Sequence, residues 1–127
     1  MDYDGLVADR IRKCQTLDDL TFVLAILLQQ NSVWEDGTLL VIRQLVSYVS
    51  GLRIEIFPNE HPPPHFHVTA ADIDATFSVQ ECSLLNGTIG GRQKDLVQWW
   101  YKHARPKLIQ IWNDTRPTDC PVGPIAE

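Results

Sequence analysis

Hydrophobic and polar residues alternate along three segments between residues 52 and 79. LRIEIF, at residues 52–57, places leucine or isoleucine at every second position, which predicts a strand with one apolar face. HFHVTA, at 65–70, and IDATFSV, at 73–79, repeat this alternation. We expect these segments to form one antiparallel sheet, to which a short strand in SLLNGTI adds.

One pairing of the second and third segments sorts every apolar side chain to one side of the sheet. If Ala71-Asp72 forms the turn, the apolar pairs are Ala70 with Ile73, Val68 with Ala75, and Phe66 with Phe77. The polar pairs are then Thr69 with Asp74, His67 with Thr76, and His65 with Ser78. A shift of one residue would destroy this sorting, so the pattern predicts the register.

Helical spacing dominates elsewhere. Residues 92–114 carry an apolar stripe that would cover the sheet's apolar face, and Pro106 predicts a kink or break near Arg105. Thr16 to Asp19 resembles a capping box, which predicts a helix through TFVLAILLQQ that ends near residues 31–32. TLLVIRQLVSYV, at 38–49, is ambiguous between strand and helix. We interpret it as a helix that passes into a short strand near Ser47.

These elements predict an α+β fold in which a small antiparallel sheet of three or four strands packs against a C-terminal helix. Residues 1–50 would form an N-terminal helical extension, 51–116 an α+β domain with the histidine motif, and 117–127 a flexible tail. The chain has 127 residues, of which 44% are hydrophobic, and this suits one compact domain with a single core.

Composition narrows the classes of partner and compartment. A net charge of -5 argues against a generic nucleic-acid partner, which requires clustered cations. The basic residues between 92 and 107 are interpreted as a solvated helix face, with a local basic patch as the alternative. Cys14, Cys82 and Cys120 are widely spaced, which predicts free thiols and a reducing, cytoplasmic location. The start of the chain does not resemble a signal peptide, and the apolar run at 22–28 is too short for a membrane span.

NEHPPPHFHV, at residues 59–68, contains three of the four histidines. His65 and His67 are two apart on a predicted strand, so they would point to the same polar, water-facing side, roughly 7 Å apart. His61 precedes three prolines, and a straight path would place it about 12 Å away along the chain. A turn within the prolines would bring it closer. Glu60 could add a carboxylate or orient an imidazole.

Three interpretations of this cluster remain open. A divalent metal ion such as zinc could be held by His61, His65 and His67. A metal-free ligand or partner site would use the residues Glu60, His61, His65, His67, Thr76 and Ser78. A stiff loop that shapes the entry to a strand needs neither. Imidazoles also suit acid–base chemistry near neutral pH, whereas a nucleophilic Thr76 or Ser78 lacks an evident orienting group. We interpret His103, beside Trp99 on the last helix, as lying outside this site.

The segments IEIFPNEHPPPHFHV, ATFSV and LLNGTIGGR, with the helix that follows, resemble the small bacterial proteins of domain of unknown function 4160. The usual family motif is an acidic residue, His, a variable residue, Pro-Pro-His, an aromatic or aliphatic residue, and His-Val. It matches here at Glu60, His61, Pro63, Pro64, His65, Phe66, His67 and Val68, although the family more often has aspartate at the first position. Gly87 matches a family glycine. The resemblance covers roughly residues 52–113, and the first 50 residues depart from it.

The resemblance implies a bacterial protein of uncharacterised activity, often encoded beside another small protein as in toxin–antitoxin modules. We therefore expect a ligand- or partner-binding component of a two-protein module with a histidine-rich site. The alternative is a metal-dependent hydrolase or nuclease that uses His61, His65 and His67. The expected partner is a small protein encoded nearby, with a second copy of the chain as another candidate and no membrane.

Overall fold

A computed structural model of the chain describes residues 2–41, 51–56 and 63–115. In chain order the elements are α1 (Tyr3–Arg12), α2 (Leu17–Gln30), β1 (Asn31–Val33), β2 (Leu39–Val41), β3 (Arg53–Ile56), β4 (His65–Ala70), β5 (Ile73–Ser78), β6 (Leu84–Thr88) and α3 (Gly91–Thr115). β3 to β6 form a four-stranded antiparallel sheet in sequence order, and β1 pairs with β2 separately. The predicted α+β fold is confirmed.

The predicted register between β4 and β5 is confirmed at all six pairs, from His65 opposite Ser78 to Ala70 opposite Ile73. Ala71 and Asp72 form the turn. The register sorts six side chains of β4 and β5 to the apolar side of the sheet. Ala70 is half-buried, and the other five are buried: Phe66, Val68, Ile73, Ala75 and Phe77. Burial of these side chains is the main favourable contribution to folding of the sheet.

Helix α3 covers this apolar face, as predicted. The Phe66 ring lies 6.1 Å from the Trp100 ring and 6.3 Å from the Tyr101 ring, measured between centroids. The Tyr101 hydroxyl donates a 2.6 Å hydrogen bond to the Val79 carbonyl just beyond β5. Near its start, α3 is tied to the β4–β5 turn, because the Gln93 amide donates to the Asp72 carboxylate at 3.1 Å.

Helix α3 runs without a break from Gly91 to Thr115 and includes Pro106. Of the kink or break expected near Arg105, the break does not occur. Proline removes the helical hydrogen bond to the carbonyl four residues earlier, that of Lys102. Both Lys102 and Pro106 are exposed, so the disturbed turn faces away from the core. The helix thus continues through the proline with the disturbed turn on its exposed side.

The predicted capping of α2 is confirmed, since the Thr16 hydroxyl accepts from the Asp19 N–H at 3.1 Å and the Asp19 carboxylate accepts from the Gln15 N–H at 3.2 Å. α2 then packs against α3. The Trp100 indole donates to the Leu20 carbonyl at 3.0 Å. One face of α2 is thus part of the core, whereas Phe22 on the same helix is 57% exposed. Among the described helices, none combines the length and apolar composition needed to cross a bilayer.

The helix predicted to begin in TLLVIRQLVSYV is wrong at its start, because Leu39–Val41 is strand β2. A tight turn sets this conformation: Gly37 has a φ of +89°, and the Asp36 carboxylate accepts from the Thr38 N–H at 3.0 Å. The fully buried Asn31 side chain then donates to the Leu40 carbonyl at 2.9 Å. Residues 42–50, with the strand predicted near Ser47, and the tail at 117–127 lie outside the described residues.

The two described cysteines, Cys14 and Cys82, are free and buried. Burial raises the pKa of the Cys14 thiol, and it raises the pKa of the Cys82 thiol to about 12. A thiol that stays protonated at neutral pH is a poor nucleophile and metal ligand. The prediction of free thiols is confirmed for these two, and Cys120 lies outside the described residues.

Strand β6 is one of the two edge strands of the larger sheet among the described residues, and each of its five residues is exposed. Asn86 lies opposite Thr76, but Leu84 lies opposite Phe77. One extra residue, Leu85, is therefore inserted as a bulge. Next to it, Gly87 has a φ of +98° and lies opposite Ala75. A Cβ on Gly87 would collide with the Asp74 carbonyl oxygen and lie 2.8 Å from the Ala75 Cα.

We predict that Gly87→Ala lowers the free energy of unfolding by about 3–5 kcal/mol, because a collision with backbone atoms adds to the cost of a positive φ. Gly37→Ala is the matched control: Gly37 also has a positive φ, but no atom lies within 4 Å of its added Cβ. That variant should lose only about 1–2 kcal/mol. Urea denaturation of both variants measures the difference, and equal losses would contradict the close approach of β6 to β5.

Candidate functional site

The side of the larger sheet that faces away from α3 carries most of the predicted site residues. Strand pairing arranges its side chains in rows across the strands. The outer row contains Arg53, Thr69, Asp74 and Thr88; the middle row contains Glu55, His67, Thr76 and Asn86; the inner row contains His65 and Ser78. We call this surface the histidine face.

His65 and His67 lie side by side on the histidine face, as their spacing on a strand predicted. Their ring centroids are 5.0 Å apart, and the rings meet edge to face at 68°. The expectation that both face water is wrong for His65, which is only 5% exposed. Exposure decreases across the face: Arg53 in the outer row is exposed, His67 in the middle row is half-buried, and the inner row is buried. The outer and middle rows are therefore the part of the histidine face that is open to a ligand.

The orientation of His65 is set by a backbone carbonyl. Its Nδ1 atom lies 2.7 Å from the Pro63 carbonyl oxygen. A carbonyl oxygen only accepts, so Nδ1 must carry the proton, and the lone pair of the neutral ring is on Nε2. The proline segment that precedes β4 thus selects one tautomer of His65. Bonds of this kind are also how proteins orient imidazoles that bind metal ions.

His67 lies between a carboxylate and a hydroxyl in the middle row. Its Nδ1 atom is 3.3 Å from the Thr76 hydroxyl, and either group can donate. Glu55 is its cross-strand neighbour on β3. The Glu55 carboxylate also accepts from the Arg53 guanidinium at 3.1 Å. The middle row therefore places an acceptor, an imidazole and a hydroxyl on three adjacent strands.

Ser78 has a structural role in the turn between β5 and β6. Its hydroxyl oxygen accepts from the backbone N–H groups of Glu81, at 3.3 Å, and Ser83, at 3.1 Å. It also lies 3.0 Å from the Ser83 hydroxyl. These contacts, together with the burial of Ser78, explain a polar residue at this position without a ligand.

The structure brings together four of the six predicted site residues: His65, His67, Thr76 and Ser78. Glu60 and His61 lie outside the described residues, so the convergence of three histidines stays a prediction. Within the described ranges, no group of three His, Cys, Asp or Glu side chains could hold a metal ion. A site for zinc or another divalent metal would therefore depend on His61 or Glu60.

Sequence reasoning missed Glu55 and Asn86, which complete the middle row. The alternation in LRIEIF already placed Glu55 on the polar side of its strand. Its position beside His67 required the register between β3 and β4, and the long connection between them does not specify that register. Asn86 was hidden by the bulge at Leu85, which breaks the simple alternation along β6.

A family model matches residues 51–113, and its description is Domain of unknown function (DUF4160). The match begins just before β3 and ends within α3. These residues belong to the DUF4160 family. The DUF4160 region therefore includes the whole of the histidine face and the part of α3 that covers the opposite side. No curated protein and no solved structure gave a match.

The part of the chain that precedes the DUF4160 region is packed into the same core. Arg92, at the start of α3, donates to the Leu28 carbonyl at 2.9 Å and to the Asn31 carbonyl at 2.7 Å. These carbonyls lie at the end of α2, where a helix leaves its last acceptors without partners. The interpretation of the basic residues as a solvated face is thus wrong for Arg92, whose charge holds two helices together.

His103 lies outside the histidine face, on the helix that covers the other side of the sheet. It is half-buried, and its ring centroid lies 4.7 Å from that of Trp99, as interpreted from the sequence. With Ile11 and Arg12 of α1 it lines a cavity of about 720 Å³. Burial, followed by the charges of Arg12 and Lys102, lowers the pKa of His103 from its usual 6.5, and Asp4 opposes this effect.

We predict that His103 makes the protein less stable as the pH falls. The unfolded chain would take up a proton at His103 near pH 6.5, whereas the folded chain takes it up only at lower pH. Stability should therefore be greatest above about pH 6.5 and decrease as pH falls toward the lowered pKa. His103→Gln should flatten this decrease in urea denaturation measured between about pH 8 and pH 5. Parallel pH profiles for the two proteins would contradict the effect.

Proposed function

We propose that this chain is the binding component of a two-protein, toxin–antitoxin-like module, and that it contacts its partner through the middle row of the histidine face. The observation that carries the proposal is the alignment of Glu55, His67 and Thr76 on adjacent strands. This row lies on the side of the sheet that α3 leaves uncovered. It belongs to the DUF4160 region, the part of the chain with a family match.

The chemistry of the row suits another protein's polar surface. Adjacent strands are about 4.8 Å apart, so a row across four strands extends for about 14 Å. Along that length it presents a carboxylate, an imidazole, a hydroxyl and, on the exposed Asn86, an amide. Such a row supplies both donors and acceptors, which favours a specific hydrogen-bonded contact over a general apolar one.

Half-burial makes the central imidazole important for affinity. His67 Nε2 is shielded from solvent, so a partner would contact the exposed part of the ring and the half-buried Glu55 and Thr76 beside it. A hydrogen bond made by a partly desolvated group contributes more than one on an open surface. Truncation of His67 would also remove the neighbour of Thr76 and Glu55. The central position of the row should therefore dominate the contact.

We predict that the chain forms a stable complex with a small protein encoded beside its own gene, and that His67→Ala weakens it about tenfold or more. Co-expression followed by size-exclusion chromatography with light scattering detects the complex, and calorimetry measures its affinity. Phe22→Ala is the matched control, because Phe22 is 57% exposed on α2, outside the histidine face. The proposal would be contradicted if both variants weakened the complex equally. It would also be contradicted if the chain formed no complex with the protein encoded on either side of its gene.

A metal-dependent hydrolase or nuclease is the second candidate. The observation that favours it is the 2.7 Å contact between His65 Nδ1 and the Pro63 carbonyl. It selects the tautomer in which Nε2 can bind a metal ion, and a backbone carbonyl is a common outer partner of such a ligand. His67 is close enough to share the ion, and His61 would supply a third nitrogen.

For this candidate we expect purified protein to contain stoichiometric zinc, manganese or iron, and we expect the metal to be lost in His65→Ala and His67→Ala. His103→Ala is the control, since His103 lies on the helix behind the sheet. Elemental analysis by mass spectrometry gives the stoichiometry. Metal-free protein after purification without chelators, or metal retained by both strand variants, would exclude the site.

A further inference from the structure

A groove of about 460 Å³ lies between the β1–β2 hairpin and α3. The hairpin contributes Trp34 and Glu35, and α3 contributes Asp95, Trp99 and Lys102. We call it the tryptophan groove. It shares no residue with the histidine face, and its volume is in the range of small ligand sites, about 300–1,000 Å³.

The groove contains the one tryptophan that the fold leaves open to solvent. Trp34 is 56% exposed, whereas Trp99, Trp100 and Trp112 are at most 7% exposed. An exposed indole gives up the favourable burial that the other three obtain. Tryptophan is also the residue type most enriched at the energetic centres of protein contacts, together with tyrosine and arginine. These facts make Trp34 a candidate contact residue.

The exposed position of Trp34 is built into a tight turn. The backbone N–H of Trp34 donates to the Thr38 carbonyl at 2.8 Å, and the backbone carbonyl of Trp34 accepts from the Gly37 N–H at 2.9 Å. The Asp36 carboxylate closes the turn by accepting from the Thr38 hydroxyl at 2.7 Å. The backbone beneath the indole is thus ordered before any partner arrives, which reduces the entropy lost on binding.

The charges in the groove favour a cation. Glu35 and Asp95 supply two carboxylates, both exposed, against the single ammonium group of Lys102. The ion pairs within the described ranges are Lys13 with Asp9 and Arg53 with Glu55. Neither groove carboxylate therefore forms an ion pair with a described cation. Phosphate groups or an acidic segment would be repelled by the two carboxylates.

We infer that the tryptophan groove binds an arginine or lysine side chain on a segment of a partner protein. The cation would lie over the indole face of Trp34, a favourable arrangement within about 6 Å of the ring centroid. Its donors would bond to Glu35 and Asp95 as charge-assisted pairs. The groove is much larger than one cationic group, so it also accommodates the aliphatic stem and adjoining backbone. This site goes beyond the histidine face and uses different residues.

The test is a calorimetric titration of the full chain with a synthetic peptide of alternating glycine and arginine. We expect saturable binding that weakens as salt is added. Trp34→Ala should weaken it at least fivefold, and so should the double variant Glu35→Gln, Asp95→Asn. The double variant changes only exposed side chains, so it tests the site even if Trp34→Ala is unstable. Phe22→Ala and Glu81→Gln, which change an exposed aromatic residue and an exposed carboxylate elsewhere, should bind as the unchanged protein does.

Several results would overturn the inference. The arginine peptide could fail to bind, or an alternating glycine–glutamate peptide could bind with the same affinity. The affinity for the arginine peptide could also be unchanged in the groove variants. Binding of tetramethylammonium as tight as that of the peptide would assign the groove to a small cation instead. His67→Ala should leave peptide binding intact, so failure here is distinguishable from failure of the contact at the histidine face.

Discussion

The register between β4 and β5 is the constraint on which the core and the candidate site both depend. Side chains alternate between the two faces of a strand, so one choice of register assigns every residue of both strands at once. In the observed register, Phe66 and Phe77 pack toward α3 while His65 and His67 point to the other side. A shift of one residue would bury two imidazoles under a tryptophan and expose the aromatic core. Selection for a stable core therefore also positions the histidines.

Residues 2–41 stabilise the DUF4160 region by packing against helix α3. The Arg92 guanidinium and the Trp100 indole, both on α3, donate to α2 and the residue after it. A half-buried charge and a buried indole N–H both need such acceptors. α3 is consequently held on two sides, by the sheet and by α2. The N-terminal elements are therefore part of the same core, even though the family match begins after them.

The parts of the structure that the sequence predicted were those settled by local pattern. Thr16 and Asp19 specified the start of α2, and the alternation along β4 and β5 specified their pairing. Strand β2 was missed because its apolar residues suit either a helix or a strand. The turn at Asp36 and Gly37 and the hydrogen bond from Asn31 to the Leu40 carbonyl both favour the strand, and the second contact is not visible in the local pattern. The burial of His65 and the place of Glu55 beside His67 were likewise unpredictable, since both depend on segments distant in sequence.

The bulge at Leu85 has a consequence for how copies of the chain behave at high concentration. From Ser83 to Gly91 the sequence contains no charged residue, and Leu84 and Leu85 are exposed. Edge strands that are flat, uncharged and apolar can pair with strands of further chains, and such pairing leads to fibrils. The inserted residue twists this border and interrupts its row of hydrogen-bonding groups. An irregularity in one short strand therefore makes this described edge a poorer template for pairing with another chain.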